Sequence, residues 1–178
     1  DELEEVLRTI EKLVEDHNRE LERVLRRVKE LADRHREESE RVAREIKKLV
    51  DDARRLVEER GPDEEVLRDL ERRVRELVDR LRRHLEELEK ELDKLKKDLK
   101  RSLEELERRV KEIADRLPET DEVRRIRERV KELLDRNRER LERIEREIDR
   151  LLEDLKRKNE KIEREVRRLL AKLKEEAR

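Results

Sequence analysis

The chain has 178 residues, of which 61% are charged, and its 54 lysines and arginines nearly balance its 55 aspartates and glutamates. A net charge of −1 offers nucleic acid no basic surface, and the longest apolar run, residues 169–171, is too short to span a membrane. Because Cys, Met, Phe, Trp and Tyr are all absent, disulfides are excluded and only Leu, Val, Ile and Ala can form an apolar core.

Helix-breaking residues occur at only two places in the chain. Gly61 and Pro62 form the first break and Pro118 forms the second. Acidic residues follow each break, and Asp63 and Thr120 are suited to capping the next helix. Connections this short favour antiparallel neighbours. The sequence therefore predicts an all-α, single-chain, up-down-up three-helix bundle forming one rod-like domain over residues 1–178, with helices at about residues 2–60, 63–117 and 120–177.

The spacing of the apolar residues predicts nearly straight helices. Steps of three and four residues are interrupted by triplets spaced four and four apart, and each triplet recurs after 18 residues. Eighteen residues complete five turns of an ideal helix, so the apolar seam stays in register with little supercoil. The triplets are 13-17-21, 31-35-39 and 49-53-57; 66-70-74, 84-88-92 and 102-106-110; and 133-137-141, 151-155-159 and 169-173-177.

Polar residues within the seam fall only on these triplets. Antiparallel pairing places His17 level with Asn137, and Ser102 lies one turn away. The same pairing places Ser39, His84 and Asn159 level, with His35 one turn away. His, Ser and Asn each donate and accept, so clustered members can satisfy one another in a core. The sequence thus predicts two buried networks: the His17 network (His17, Ser102 and Asn137) and the His35 network (His35, Ser39, His84 and Asn159).

Other roles for the histidines have less support in the sequence. Protonation of a buried histidine at low pH would destabilise the core, so a pH switch is one alternative. As zinc ligands, His35 and His84 supply two nitrogens where three or four ligands are usual. Ser39 and His84 could form a nucleophile and base, but no seam carboxylate would orient the imidazole. We expect no catalytic residue, metal ligand, cofactor or small-molecule substrate, and no enzymatic activity.

The whole chain resembles de novo designed, parametric helical bundles that carry buried hydrogen-bond networks. The resemblance rests on the 18-residue repeat, the aliphatic core, the "GPDEE" connection at residues 61–65 and the isolated His, Ser and Asn layers. Natural three-helix repeats such as spectrin usually carry core aromatics, which this chain lacks. The resemblance implies a synthetic, stable scaffold without a native biological role, soluble and cytoplasmic when produced recombinantly. Some members of the family are interaction modules or pH-responsive assemblies.

Two functions remain open besides a monomeric scaffold. An interaction module would bind a helical partner or self-associate, and a natural coiled-coil spacer would act as a tether. No helix carries a second apolar face, which favours the monomer. The first helix has a slightly wider apolar face through Val6, Leu25, Ala32, Ala43, Val50 and Val57. The absence of core aromatics and the regular 18-residue phase argue against the natural spacer.

Overall fold

Three long helices make up the protein. A computed structural model describes all of residues 1–178, with α1 at Glu2–Arg60, α2 at Glu64–Asp115 and α3 at Asp121–Glu176. No residue lies in a strand. The predicted all-α, three-helix fold class is confirmed. No helix is both long and apolar enough to cross a lipid bilayer.

The connection between α1 and α2 is a short turn that ends one helix and caps the next. Gly61 has a φ of 86°, a left-handed conformation that costs glycine little. Its amide donates to the Val57 carbonyl at 2.9 Å and closes the last turn of α1. The Asp63 carboxylate accepts a hydrogen bond from the Glu65 amide at 2.9 Å. Asp63 is therefore a capping residue, as its position after the break predicted.

The connection between α2 and α3 is held by a cap and by an arginine. The Thr120 hydroxyl accepts from the Val123 amide at 3.2 Å, which confirms the predicted cap of α3. Arg127, one turn further along, donates to the Ala114 carbonyl at 3.1 Å. A cation at the carboxyl end of α2 satisfies a terminal carbonyl and complements the negative end of the helix dipole.

Contacts group the chain into two compact units, and each unit contains a stretch of all three helices. Unit 1 comprises residues 1–29 and 91–150, and unit 2 comprises residues 30–90 and 151–178. The expectation of one rod-like domain with nearly straight helices stays a prediction.

Within unit 1, ion pairs fix the direction of α3 against α2. Lys96 binds Asp149 at 2.7 Å, and Glu107 binds Arg138 at 2.7 Å. Glu107 follows Lys96 along α2, whereas its partner Arg138 precedes Asp149 along α3. The two helices are therefore antiparallel in this unit.

Unit 2 has the same arrangement. Arg82 binds Glu163 at 2.6 Å, and Glu89 binds Lys156 at 2.9 Å, so α2 and α3 are antiparallel here as well. This unit contains a cluster of buried aliphatic side chains: Val42, Ile46, Val50, Ala53, Leu70, Val74, Leu81, Val166 and Leu173.

Burial follows the position of a residue within its triplet. In all nine triplets the middle and last residues are buried. Among the first residues only Leu31 is buried, while the other eight are half-buried. The first position therefore lies at the edge of the apolar seam. This distinction decides how the polar members of the two networks behave.

Candidate functional site

The His35 network is a continuous chain of hydrogen bonds across all three helices of unit 2. His35 Nδ1 lies 2.7 Å from His84 Nδ1, and the two rings stack with centroids 5.0 Å apart. On its other side, His35 Nε2 accepts from Asn159 Nδ2 at 2.9 Å. The Ser39 hydroxyl donates to Asn159 Oδ1 at 3.0 Å. The structure brings all four residues of the predicted network together, with α1 in the centre.

With the Asn159 amide nitrogen facing His35, the hydrogen-bond pattern assigns the protons in this series of bonds. Asn159 donates through its amide nitrogen, so the neutral His35 ring carries its hydrogen on Nδ1. That hydrogen is donated to His84 Nδ1, which must then be an acceptor. His84 consequently carries its own hydrogen on Nε2. Each imidazole is held as a single tautomer by its neighbours.

Burial keeps His35 neutral. The side chain is 0% exposed, and its pKa is lowered chiefly because burial disfavours the imidazolium. The nearby His84 lowers the pKa further, whereas the charge of Glu38 raises it. His84 lies at the first position of its triplet and is half-buried. The series of hydrogen bonds therefore extends from His84 at the edge of the core to His35 at its centre.

A carboxylate that the sequence pattern did not indicate lies beside this network. Glu38 is only 9% exposed, although it does not occupy a position of any apolar triplet. Its oxygens bind Arg41 at 2.8 Å and Arg80 at 3.5 Å, which compensates for partial loss of water. The sequence does indicate that Glu38 lies near His35, because residues three apart face the same side of a helix.

The His17 network in unit 1 differs from the sequence expectation. Asn137 Nδ2 lies 3.0 Å from His17 Nδ1 and also donates to the Val14 carbonyl at 3.3 Å. These bonds join α1 to α3, as predicted. Ser102 does not bond to either residue, and its hydroxyl donates instead to Glu20 at 2.7 Å. The expected three-membered network is therefore two separate groups in the structure.

The position of Ser102 explains this difference. It is the first residue of its triplet and is half-buried, whereas His17 and Asn137 are middle residues and buried. A hydroxyl at the seam edge is within reach of long acidic side chains on the neighbouring helix. A charged acceptor makes a stronger hydrogen bond than a neutral one, so Glu20 is the favoured partner.

His17 is also held neutral by burial. Its side chain is 4% exposed, and desolvation lowers its pKa, while the charge of Glu20 acts in the opposite direction. Its second ring nitrogen, Nε2, is buried and has no hydrogen-bond partner among the protein atoms. Asn18, which flanks the seam, likewise has a buried Oδ1 without a partner.

The geometry of these groups assembles neither a metal site nor a pair of nucleophile and base. No group of three or more His, Asp or Glu side chains is arranged to hold a metal ion. The Ser39 hydroxyl is bonded to Asn159 and not to His84, so a nucleophile and base pair is not assembled. His35, Ser39 and Asn159 bond to one another, and so do His17 and Asn137, which is how a packed core accommodates polar groups.

Comparisons with known proteins show a likeness in fold to a designed protein. No protein-family model matches the chain, and no curated protein matches it. Among solved structures, a "Computationally designed three helix bundle" is similar, with a TM-score of 0.51 and 20% sequence identity. The alignment covers 99% of this chain and 95% of that chain. Identity at this level shows a shared three-helix bundle fold and nothing of activity.

Proposed function

We propose that the chain is a designed structural scaffold without biochemical activity, in which buried polar networks specify how the three helices are arranged. The observation that carries this proposal is the His35 network. Its four side chains, His35, Ser39, His84 and Asn159, come from α1, α2 and α3 and bond to one another in sequence. Each of these bonds joins α1 to another helix, so each one helps to fix how the helices are arranged.

An aliphatic core alone specifies helix register weakly. Leu, Val and Ile can exchange places between layers with modest loss, provided that volume and pattern are kept. Polar groups in the core discriminate more sharply, because a shifted helix leaves each of them buried without a partner. Each such group costs about 1–3 kcal/mol. Moving α3 by one layer past Ser39 and His35 would strip Asn159 of both bonds.

The scaffold proposal predicts a self-contained monomer. Light scattering coupled to size-exclusion chromatography at pH 7.5 measures this directly. Refractive-index detection is required because the chain has neither Trp nor Tyr. We expect a mass of 22.2 kDa at all loading concentrations. A dimer or larger species would overturn the monomeric scaffold and favour the interaction module.

A pH-responsive scaffold is the second candidate, and the proton positions in the His35 network favour it. A proton added to His35 Nε2 would face the amide nitrogen of Asn159, which is already a donor. A proton added to His84 Nδ1 would face the donor on His35 Nδ1. Either event requires the Asn159 amide to turn over, so that Oδ1 accepts from His35 and Nδ2 donates to Ser39. Protonation therefore reverses the bonds that join Asn159 to His35 and Ser39.

Repeating the light-scattering measurement at pH 4.5 tests this second candidate. Dissociation, association or expansion at pH 4.5 only would support a histidine-driven response. The matched control replaces His17, His35 and His84 together with leucine. If the triple variant responds to pH as the parent does, the histidines are not responsible.

A further inference from the structure

The imidazoles of His35 and His84 meet nitrogen to nitrogen in unit 2. Their Nδ1 atoms are 2.7 Å apart, and their ring centroids are 5.0 Å apart with 28° between the ring planes. The centroid separation exceeds the nitrogen separation by about two centre-to-atom distances of a five-membered ring. Both nitrogens therefore lie close to the line that joins the ring centres, with space between them for a single hydrogen.

The two histidines cannot both become imidazolium in this arrangement. Each imidazolium carries a hydrogen on both ring nitrogens, so two hydrogens would point at each other between the Nδ1 atoms. Like charges this close also repel each other, so a second proton binds far less readily than the first. The pair therefore titrates as one unit that takes up one proton.

Burial decides which ring carries the added charge. His35 is 0% exposed, whereas His84 is half-buried at the edge of the seam. A charge on His84 keeps part of its hydration, which the interior denies to His35. The hydrogen bond from a charged His84 Nδ1 to a neutral His35 Nδ1 is also stronger than the neutral bond that it replaces.

The charged groups around the pair belong to α1 and α2. Burial, the largest influence, lowers the pKa of His35, and the charge of Glu38 on α1 raises it. Glu38 is bound to Arg80 at 3.5 Å. Arg80 and Glu87 are four residues before and three residues after His84 on α2, and their charges are opposite. The third helix contacts His35 through the neutral amide of the network. The difference in exposure therefore distinguishes the two rings.

We propose that His35 and His84 form a one-proton switch, in which His84 becomes the imidazolium and His35 stays neutral but carries its hydrogen on Nε2 instead of Nδ1. This inference rests on the pH-responsive scaffold proposed above. One proton from water is the only addition. The hydrogen between the two Nδ1 atoms becomes part of His84, and the new proton is bound at His35 Nε2. A change in charge at the seam edge thereby changes the bonds to Asn159 on α3.

The rest of the His35 network has a partner for each polar group in the protonated state. After the amide turns over, Asn159 Oδ1 accepts from His35 Nε2, and Asn159 Nδ2 donates to the Ser39 hydroxyl. The Ser39 hydrogen can then bond to the His35 carbonyl one turn earlier, as serine side chains inside helices often do. All three bonds of the network are kept, each with its direction reversed.

Proton–nitrogen correlation spectra of the nitrogen-labelled full chain, recorded from pH 7.5 downward, test the switch. The spectrum at pH 7.5 tests the network itself, which requires a hydrogen on His35 Nδ1. On acidification we expect His84 to gain a second ring hydrogen and His35 to exchange its Nδ1 hydrogen for one on Nε2, with the same midpoint. Two ring hydrogens on His35, or separate midpoints for the two rings, would overturn the switch and leave the scaffold intact. Loss of the circular dichroism signal at 222 nm before His84 gains its hydrogen would also overturn the switch.

Two leucine variants supply the controls. His84→Leu removes the ring that carries the charge, so the His35 signals should stay constant over the pH range in which those of the parent change. A His35 transition at the parental midpoint in this variant would contradict the switch. His17→Leu, which lies in unit 1, should leave the shared midpoint of His35 and His84 where it is in the parent. A shifted midpoint would show that proton uptake follows loosening of the whole bundle, and the switch would be wrong.

Discussion

Replacing Asn159 with leucine removes one side chain and leaves two buried polar groups without a partner. His35 Nε2 loses its donor, and the Ser39 hydroxyl loses its acceptor. Each orphaned group costs about 1–3 kcal/mol, or about 2–6 kcal/mol together. Burying the leucine side chain offsets about 1.5–3 kcal/mol. We therefore expect a net loss of about 1–3 kcal/mol in the free energy of unfolding, which is roughly a 5- to 150-fold change in the equilibrium constant.

Guanidinium unfolding at pH 7.5, followed by circular dichroism at 222 nm, measures this loss without aromatic reporters. The matched control removes the whole network at once, through His35→Leu, Ser39→Ala, His84→Leu and Asn159→Leu. Because no polar group is then orphaned, the fourfold variant should be at least as stable as the parent. If Asn159→Leu alone were as stable as the fourfold variant, the bonds from Asn159 to His35 and Ser39 would not exist.

Three further predictions concern pH and the helix ends. Burial lowers the pKa of His17 and His35 from 6.5, so the unfolded chain gains protons first as pH falls. The free energy of unfolding should be highest above pH 6.5 and decline below it, by up to about 1.4 kcal/mol per pH unit for each histidine. Equal guanidinium midpoints at pH 7.5 and 5.5 would contradict this. Thr120→Ala removes the cap on the Val123 amide and should cost about 1 kcal/mol in guanidinium unfolding, whereas Thr120→Ser should be nearly neutral. Gly61→Ala should cost about 1–2 kcal/mol through backbone strain alone, because nothing lies within 4 Å of the added carbon, and an unchanged midpoint would refute the left-handed turn.

The fold and the His35 network were predictable because they depend on spacing. Gly61 and Thr120 mark helix ends through local backbone chemistry, which is legible in one sequence. Asn159 and Ser39 occupy last positions of their triplets, and His35 occupies a middle one. Those positions are buried in every triplet. Polar side chains there are surrounded by apolar residues, so we expect them to form hydrogen bonds with one another.

The partners of the seam-edge residues were not predictable in the same way. Ser102 occupies a first position, where long flanking side chains compete with the seam, and Glu20 reached it from α1. Glu38 is another flanking carboxylate that the seam pattern excludes, yet arginines on two helices hold it at the core boundary. The apolar stems of charged side chains pack along the edge of a core, while each charged end can bond to any of several neighbouring groups. That choice depends on rotamers rather than on spacing.

The tautomers of the buried histidines test most directly whether the core contains the networks on which the scaffold proposal rests. A long-range proton–nitrogen correlation spectrum of nitrogen-labelled protein at pH 7.5 identifies the protonated nitrogen of each imidazole. His35 should carry its hydrogen on Nδ1, because Asn159 donates to Nε2. His17 should carry its hydrogen on Nε2, because the Asn137 amide nitrogen, which also donates to the Val14 carbonyl, donates to Nδ1. Histidine signals averaged between tautomers, as in a solvated imidazole, would contradict the account and leave the three helices without a polar register.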